Sequence, residues 1–404
     1  MNMISGGVCA AKGFKASGVH CGIRKNPGKK DLALIYSSVP ASAAAVYTTN
    51  LVKGAPLTVT KRHLADGKAQ AVICNSGNAN TCNADGIEIA EKMSALAAEA
   101  LNIRTEDVVV ASTGVIGQPL SLEPIAAGIP ALAESLSEDG SVEACAAIMT
   151  TDTRVKEIAA EFVLDGKTCR LGGIAKGSGM IHPNMATMLV FLSTDAAVSP
   201  AMLQKALSGD VQKSFNMISV DGDTSTNDMV TILANGLAGN EEITEENESF
   251  AVFMKALNTV SIQLCRMIAG DGEGATKLLE CRVSGGKTED AAKTVARSVI
   301  SSSLTKAAMF GEDANWGRIL CAIGYSGADV DVGKVDVAFL SAAGQVEVCK
   351  DGAGVAFSEE KAAEVLHETE IDILIGLNDG EGAATAWGCD LSYEYVKING
   401  DYRT

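Results

Sequence analysis

Near its middle this chain carries the segment Lys176-Gly-Ser-Gly-Met-Ile-His-Pro-Asn-Met-Ala-Thr-Met-Leu189. Glycine, proline and small residues favour turns as far as Ala186, and the apolar run at 188–192 is typical of a buried strand. A threonine therefore stands where a flexible loop enters a strand. We predict that Thr187 attacks the carbonyl group of Ala186 and cuts the chain. Thr187 would then hold a nucleophilic hydroxyl and a free α-amine on one residue.

Thr187 is also compatible with a purely structural role, because β-branched residues commonly begin strands. Self-cleavage requires strain in the Ala186–Thr187 peptide, since an ordinary amide does not yield to a hydroxyl. Gly177 and Gly179 let the preceding segment bend back, and Pro183 fixes a turn, so the sequence permits such strain. A free α-amine, whose pKa in unstructured peptides is about 7.7–8, is suited to act as a general base near neutral pH.

The composition limits the classes of function. The chain has 404 residues, 47% of them hydrophobic, and a net charge of -17. We therefore expect a packed globular protein and no role for nucleic acid as the main ligand, because a phosphate backbone requires a basic footprint. No segment has the length and apolar character of a membrane span, and the N-terminus lacks the pattern of a signal peptide. These features predict a cytoplasmic protein.

Neither a metal nor a bound cofactor is expected. Eleven cysteines are scattered through the chain, mostly among apolar neighbours, as free thiols are in a reducing compartment. Their spacing does not fit a zinc site, and the glycine-rich loops do not fit a nucleotide fingerprint. His182 has no serine or cysteine partner visible in the sequence, which disfavours a histidine-based triad.

Local periodicity predicts a mixture of strands and helices without strict alternation, so an α+β fold is favoured. An Asp165-Gly166 turn predicts a hairpin of residues 157–164 and 167–174. Helices are predicted at 86–101, 141–149 with Ser141 as its cap, 246–269 and 288–309. No linker stands out, so the parts on either side of Thr187 should form one interlocked body.

Other residues could complete a site around Thr187. Thr113-Gly114 follows a Val-rich strand, and its groups could stabilise an oxyanion, although an ordinary turn would look the same. Lys176 is either a solvated lysine or a partner for a substrate carboxylate. Glu273 stands between two glycines and could accept hydrogen bonds from an amine or merely cap a turn.

The motifs together resemble those of the ornithine acetyltransferases, the ArgJ family of arginine biosynthesis. Besides the segment that ends at Thr187, the matching motifs are Gly13-Phe-Lys-Ala-Ser-Gly-Val19, Cys74-Asn-Ser-Gly-Asn-Ala-Asn80, Ser112-Thr-Gly-Val-Ile-Gly117, Met149-Thr-Thr-Asp-Thr153, Gly270-Asp-Gly-Glu-Gly-Ala275 and Asn399-Gly-Asp-Tyr-Arg-Thr404. They cover nearly the whole chain in the family's order.

The resemblance implies that the precursor cuts itself between Ala186 and Thr187. Thr187 would take an acetyl group from N2-acetyl-L-ornithine and pass it to L-glutamate by a ping-pong route. Thr113 and Gly114 are implied as the oxyanion hole, and the implied substrate contacts are Thr150, Lys176, Thr187, Glu273, Asn399 and Thr404. Acetyl-CoA could serve as a further donor, because some family members use it.

The fold implied by the resemblance is a DmpA/ArgJ-like layered αββα sandwich with a smaller C-terminal α/β part. Its expected divisions are residues 1–186 as the α chain, 187–280 as the first part of the β chain, and 281–404 as a C-terminal part whose end returns to the active site. The expected assembly is an α2β2 heterotetramer.

Two other functions remain open at this point. A related self-processing aminopeptidase or amidase would let water resolve the acyl-enzyme, and would release acetate from acetyl-ornithine. A non-catalytic protein would keep Thr187 in a structural role, and would stay uncut and form no acyl adduct.

Overall fold

The structure, a computed structural model, describes residues 1–182 and 188–401. Within these ranges the chain forms sixteen strands: β1 Asn2–Ile4, β2 Phe14–Val19, β3 Leu32–Tyr47, β4 Lys68–Asn75, β5 Val108–Ser112, β6 Lys156–Leu164, β7 Lys167–Lys176, β8 Leu189–Thr194, β9 Ile218–Ser219, β10 Met229–Ala234, β11 Leu278–Gly286, β12 Asp336–Ser341, β13 Gly344–Lys350, β14 Ala353–Gly354, β15 Glu370–Gly376 and β16 Gly382–Cys389.

The same ranges contain eleven α-helices: α1 Ala55–His63, α2 Gly86–Leu101, α3 Glu123–Glu134, α4 Ser141–Ile148, α5 Pro200–Asp210, α6 Glu248–Ala269, α7 Glu289–Ser301, α8 Ser303–Phe310, α9 Trp316–Gly324, α10 Glu359–His367 and α11 Tyr393–Asp401. The predicted helix at 86–101 is confirmed as α2, and the predicted hairpin is confirmed as β6 and β7. Its turn residues Asp165 and Gly166 have φ angles of 50° and 73°, which a tight primed turn requires.

The long strand β3 joins two half-sheets. The nine-stranded sheet has the order β1-β6-β7-β8-β10-β3-β4-β5, with β2 also paired to β3. The first half of β3 pairs with β2 and β4, whereas its second half, from Ser42 to Tyr47, pairs with β10. The register of the β3–β4 pair shifts between Tyr36 and Ala41. Pro40 lies within this irregularity and cannot donate to the ladder, so the strand can bend there.

The two half-sheets pack face to face between outer helices. One interior cluster combines Val72 and Val109 of one half-sheet with Phe191 and Leu233 of the other. The alternate residues of the strands point outwards, because side chains alternate along a strand. On one side they pack against α2 and α3, and on the other against α5 and α6. These four layers confirm the expected αββα sandwich.

A second, seven-stranded sheet forms the smaller C-terminal α/β part. Its order is β14-β13-β12-β15-β11-β16-β9. Helix α7 packs on β11 and β16, and α10 packs on β12 and β13. Helix α6 contacts β6 and β7 of the first sheet as well as β11 and β16 of the second. The outer core of the sandwich therefore continues into the C-terminal part.

Two local predictions were wrong. The helix expected at 288–309 breaks at Ser302, whose ψ of 114° is extended and whose side chain accepts the N–H of Thr305 at 3.3 Å. A new helix cap there redirects the chain into α8. Ser141 does not cap α4, because its hydroxyl accepts the Val8 N–H at 3.1 Å instead. In both cases a polar side chain takes a partner that helical periodicity does not reveal.

Candidate active site

A cavity of about 140 Å³ collects the predicted site residues from distant parts of the chain. All six that the structure describes line it, namely Thr113, Gly114, Thr150, Lys176, Glu273 and Asn399. Ala186, Thr187 and Thr404 lie outside the described residues. The other lining residues are Ala79, Ile116, Thr151, Gly179, Met180, Ser225, Thr226 and Asn227.

The strand pairing explains why these segments meet. Strand β7 ends at Lys176, which lies opposite Leu189, the first residue of β8. Leu189 in turn lies beside Met229, the first residue of β10, and Met229 pairs with Tyr47 at the end of β3. Four strand ends therefore share one edge of the sheet. Residues that directly follow or precede those strands are brought to the same place.

Lys176 is a buried cation that faces this cavity. Its side chain is 3% exposed. Its ammonium makes no hydrogen bond or ion pair with another described residue. Burial lowers the pKa of Lys176, and Asp152 and Asp228 oppose part of that shift. An ammonium held out of water without a close partner is suited to bind a ligand carboxylate.

The loop after β5 offers hydrogen-bond donors to the cavity. The N–H of Thr113 is already used, since it donates to the Asn75 carbonyl at 2.9 Å. The remaining donors are the Thr113 hydroxyl and the Gly114 N–H, neither of which is bonded to another described residue. Gly114 has a φ of 128°, and a Cβ there would stand 2.6 Å from the carbonyl carbon of Gly77. Glycine is therefore required at this position.

Glu273 and Asn399 meet in the lining of the cavity. The Asn399 side chain, on α11, donates to the Glu273 carboxylate at 2.7 Å. The Glu273 N–H donates to the Ser178 carbonyl at 2.9 Å. A Cβ at Gly179 would clash with the Glu273 carboxylate, so a glycine lets this acid rest against the loop after Lys176. The sequence motif Gly-Ser-Gly thus serves close packing.

A buried ion triad, which the sequence analysis missed, supports these loops. Lys156 is fully buried, and its ammonium contacts Asp152 at 2.7 Å and Asp271 at 2.5 Å. Asp152 also accepts the N–H groups of Thr150 at 3.0 Å and Gly177 at 2.7 Å. Burial alone would raise the pKa of Asp152, but Lys176 and Lys156 together hold it below its usual range. Three segments that line the cavity are therefore tied to one buried network.

Asn227 is a second residue that the sequence analysis missed. Its amide group donates to the carbonyls of Ala79 at 2.6 Å and Ser112 at 2.9 Å. Its oxygen accepts the hydroxyls of Thr81 and Thr226, both at 2.6 Å. The polar run at 221–228 could have signalled such a role, because polar residues between apolar strands often line a site. Asn227 fixes the donor loop after β5 against the start of β10.

His182 does not line the cavity. Its Nδ1 lies 3.1 Å from the Ser219 hydroxyl and 3.3 Å from that of Ser301. Burial, and then the nearby Arg297, lower its pKa. Within residues 1–182 and 188–401 there is no cluster of His, Cys, Asp or Glu that could hold a metal ion. In the same ranges, no helix combines the length and the apolar character needed to cross a bilayer.

The cavity thus offers three kinds of group to a ligand. A buried cation and a carboxylate acceptor both line it, and hydroxyl and N–H donors lie just after the end of β5. A cation and a carboxylate can orient an amino acid, because they pair with its carboxylate and its ammonium. Donors held at a fixed place can stabilise an oxyanion. This combination suits acyl transfer to or from an amino acid.

Comparison with known proteins finds relatives of one family along nearly the whole chain. The model of the ArgJ family matches residues 15–404. The arginine biosynthesis bifunctional protein ArgJ of Caldanaerobacter subterraneus subsp. tengcongensis is 54% identical over 405 residues, which cover 100% of both chains. ArgJ 1 of Clostridium acetobutylicum is 51% identical over 392 residues, or 97% of this chain and 96% of that one.

A solved structure shares part of the fold. The crystal structure of the arginine biosynthesis bifunctional protein ArgJ of Bacillus halodurans superimposes with a TM-score of 0.50 at 46% sequence identity. The match covers 98% of the solved chain but 53% of this one. The solved chain is therefore about half as long as the chain described here.

Proposed function

The chain belongs to the ArgJ family, and we propose that it transfers an acetyl group from N2-acetyl-L-ornithine to L-glutamate in arginine biosynthesis. The observation that carries this proposal is the cavity in which Thr113, Gly114, Thr150, Lys176, Glu273 and Asn399 come together. Relatives with about half of their residues identical are arginine biosynthesis bifunctional proteins. The alternative of a self-processing aminopeptidase or amidase has no comparable support.

In the proposed first half-reaction, the Thr187 hydroxyl attacks the acetyl carbonyl while the α-amine of Thr187 takes its proton. The Thr113 hydroxyl and the Gly114 N–H donate to the resulting oxyanion. The carbon–nitrogen bond then breaks, and the departing ornithine amine takes up the proton held by the α-amine. An acetyl ester on Thr187 remains. In the second half-reaction the neutral amine of glutamate attacks that ester, the α-amine of Thr187 takes its proton, and the ester carbon–oxygen bond breaks. The proton then passes to the Thr187 oxygen, which yields N-acetylglutamate and free Thr187.

The other residues orient the two substrates. Both acetyl-ornithine and glutamate carry an α-carboxylate, and the buried Lys176 ammonium is the cation available to it in the cavity. The Glu273 carboxylate, held by Asn399, can accept hydrogen bonds from the side-chain ammonium of ornithine. Thr150 lines the same cavity. Thr404 would complete the site from the chain end.

The nucleophile arises by self-cleavage between Ala186 and Thr187. Residues 187–404 make up 218 of the 404 residues, or about 54% of the chain. The Bacillus halodurans ArgJ chain matches a comparable 53% and is covered almost completely, which supports a protein made of two separate chains. Two copies of each chain would form the proposed α2β2 heterotetramer in the cytoplasm.

Acetyl-CoA is the proposed second acetyl donor. The relatives carry the name bifunctional, and the family resemblance implies that bifunctional members use acetyl-CoA as a donor. Neither a metal ion nor a bound cofactor takes part in the steps above, since the hydroxyl and amine of Thr187 supply the nucleophile and the base.

Mass spectrometry tests the proposal directly. The purified protein should consist of two fragments with Thr187 at a new N-terminus, and acetyl-ornithine alone should add one acetyl group to the C-terminal fragment. Glutamate should then remove that group as N-acetylglutamate. Thr187→Ala should remain one chain and form no adduct. Release of acetate instead of N-acetylglutamate would identify a hydrolase, and an uncut, unmodified wild-type chain would refute the proposal.

A further inference from the structure

Helix α11 reaches the cavity without being packed into the protein. None of its residues from Tyr393 to Asp401 is fully buried, so apolar burial contributes little to its position. Yet Asn399, on its last turn, lines the cavity beside Glu273. A helix that has no buried face and still carries a cavity residue depends on polar tethers to stay in place.

One such tether joins Tyr395 of α11 to Asp221. The Tyr395 hydroxyl donates to Oδ2 of Asp221 at 3.2 Å. The same carboxylate accepts the N–H groups of Met180 at 2.6 Å and Ile181 at 2.9 Å, in the loop after β7. Burial, and then the charge of Asp221, raise the pKa of Tyr395, so its hydroxyl remains a donor at neutral pH. Since Met180 lines the cavity, Asp221 connects two parts of the cavity lining.

The position of Tyr395 also determines that of Asn399. The side-chain amide of Asn399 donates to the Tyr395 carbonyl at 3.0 Å and to the Glu273 carboxylate at 2.7 Å. Both hydrogens of that amide are thereby used. Gly274 permits the close approach of the helix, because a Cβ there would stand 2.7 Å from the Tyr395 nitrogen. A shift of Tyr395 would therefore move the amide that holds Glu273.

Two further contacts lie at the start of the helix. The Ser392 hydroxyl donates to the Gly274 carbonyl at 2.5 Å, and the ring of Tyr393 packs edge-on against Phe310. These contacts fix where the helix begins rather than the direction in which it runs. Asn399 lies about 9 Å further along the axis than Tyr393, so a small tilt about the helix start would displace it from the cavity.

We propose that Tyr395 is a positioning residue that clamps α11 to the loop after β7 through Asp221. The clamp opposes a tilt of the helix and holds Glu273 and Asn399 where they receive the side chain of ornithine. Tyr395 itself does not line the cavity, so it acts through these two residues. This role rests on the proposed function, because it presumes that Glu273 and Asn399 bind a substrate side chain.

Tyr395→Phe tests the clamp, because it removes the hydroxyl and keeps the ring. The variant should fold, since Asp221 keeps its two backbone donors. The KM for acetyl-ornithine should rise by at least about 10-fold while kcat stays within about 3-fold, because the reacting groups are untouched. Tyr393→Phe is the matched control on the same helix. Tyr393 is 84% exposed, and its hydroxyl makes no hydrogen bond with another described residue, so its loss should leave both constants at their wild-type values.

N-acetyl-L-alanine separates positioning from a general structural role. It offers the same acetyl group and α-carboxylate but has no side chain for Glu273 and Asn399 to bind. Tyr395→Phe should lower kcat/KM for acetyl-ornithine by at least about 10-fold and change that for acetyl-alanine by less than about 3-fold. A loss of folded enzyme would reduce both values equally. Isothermal titration of the cleaved enzyme with L-ornithine should show a rise in Kd by the same factor as the rise in KM.

Each other result overturns the inference. If kcat/KM falls equally for acetyl-ornithine and acetyl-alanine, or if the variant does not fold, the hydroxyl supports the structure in general. If KM and Kd keep their wild-type values, α11 holds its place without the tether. If kcat alone falls, Tyr395 acts on the chemical step. A wild-type enzyme that forms no N-acetylglutamate would instead refute the proposed function, and the Kd for ornithine would still report on the clamp.

Discussion

At the scale of single residues, burial gives ordinary side chains unusual properties. Lysine is normally solvated, yet Lys176 lies at the end of β7 where four strands meet and water is largely excluded. Its lowered pKa results from that burial. Asp228 shows the converse effect, since burial raises its pKa. The two pKa shifts have opposite directions but one cause, because burial removes solvation from the charged form of each group.

Lys176→Met should weaken the binding of both amino-acid substrates. A buried substrate carboxylate would lose its cation, a loss of about 2–5 kcal/mol, so the KM values for acetyl-ornithine and glutamate should both rise by at least about 30-fold. Initial rates with each substrate measure this. Lys167→Met is the control, because Lys167 is exposed at the other end of β7. An unchanged KM for both substrates would remove Lys176 from the binding site.

At the scale of secondary structure, loops are fixed by elements far away in the chain. The segment Thr150–Thr153, the end of β7 and the loop after α6 are joined through Lys156, Asp152 and Asp271. Each of these segments carries a residue of the cavity. A buried ion network of this kind specifies geometry more than it adds stability, because the desolvation of its charges offsets their attraction.

Lys156→Met should therefore harm both stability and binding. Two buried carboxylates would lose their cation, and the free energy of unfolding should fall by about 3–5 kcal/mol. Urea denaturation in a Thr187→Ala background measures this on a single uncut chain. Lys205→Met removes only the exposed pair with Glu246 and should cost no more than about 1 kcal/mol.

Lys156→Arg tests whether the triad positions the cavity. Arginine keeps the positive charge, so much of the lost stability should return, but its larger planar head does not fit the same contacts. The KM for acetyl-ornithine should remain raised while the protein is folded. A folded Lys156→Met variant with normal stability and normal KM would contradict the assigned role.

At the scale of the whole molecule, the strand order interlocks the two parts of the chain. Strands β8 and β10 follow the proposed cleavage site, yet they lie between β7 and β3, which precede it. The inner core likewise combines Phe191 and Leu233 with Val72 and Val109. Neither part can complete the sheet or bury its apolar face alone.

The two fragments should therefore stay together after cleavage. The proposed products, 1–186 and 187–404, should elute as one species in size-exclusion chromatography even in about 1 M salt, since the contact is mainly apolar and poorly screened. Each fragment expressed alone should be unfolded or insoluble by circular dichroism and solubility assays. The uncut Thr187→Ala chain is the control for elution. Separate elution of folded fragments would show that the sheet is not shared.

Local sequence patterns predicted much of the secondary structure, the family and the residues of the site. Helical periodicity predicts α2 to the residue, and Asp165-Gly166 predicts the β6–β7 hairpin, because both depend on neighbours within a few positions. Motif order identifies the family and nominates the residues that line the cavity. The break at Ser302 escaped prediction, since a cap depends on one side-chain conformation rather than on a period.

Tertiary structure alone decided which distant residues share the site. Lys156 and Asp271 are 115 positions apart, and no local pattern couples them. Asp228 looks like any acid in a polar loop until strand pairing sets it beside Met188. The bend of β3, which turns one sheet into two packed layers, likewise requires its partners on both sides. Sequence reports short-range preferences, whereas the burial and pairing that alter a side chain's chemistry arise only when remote segments pack together.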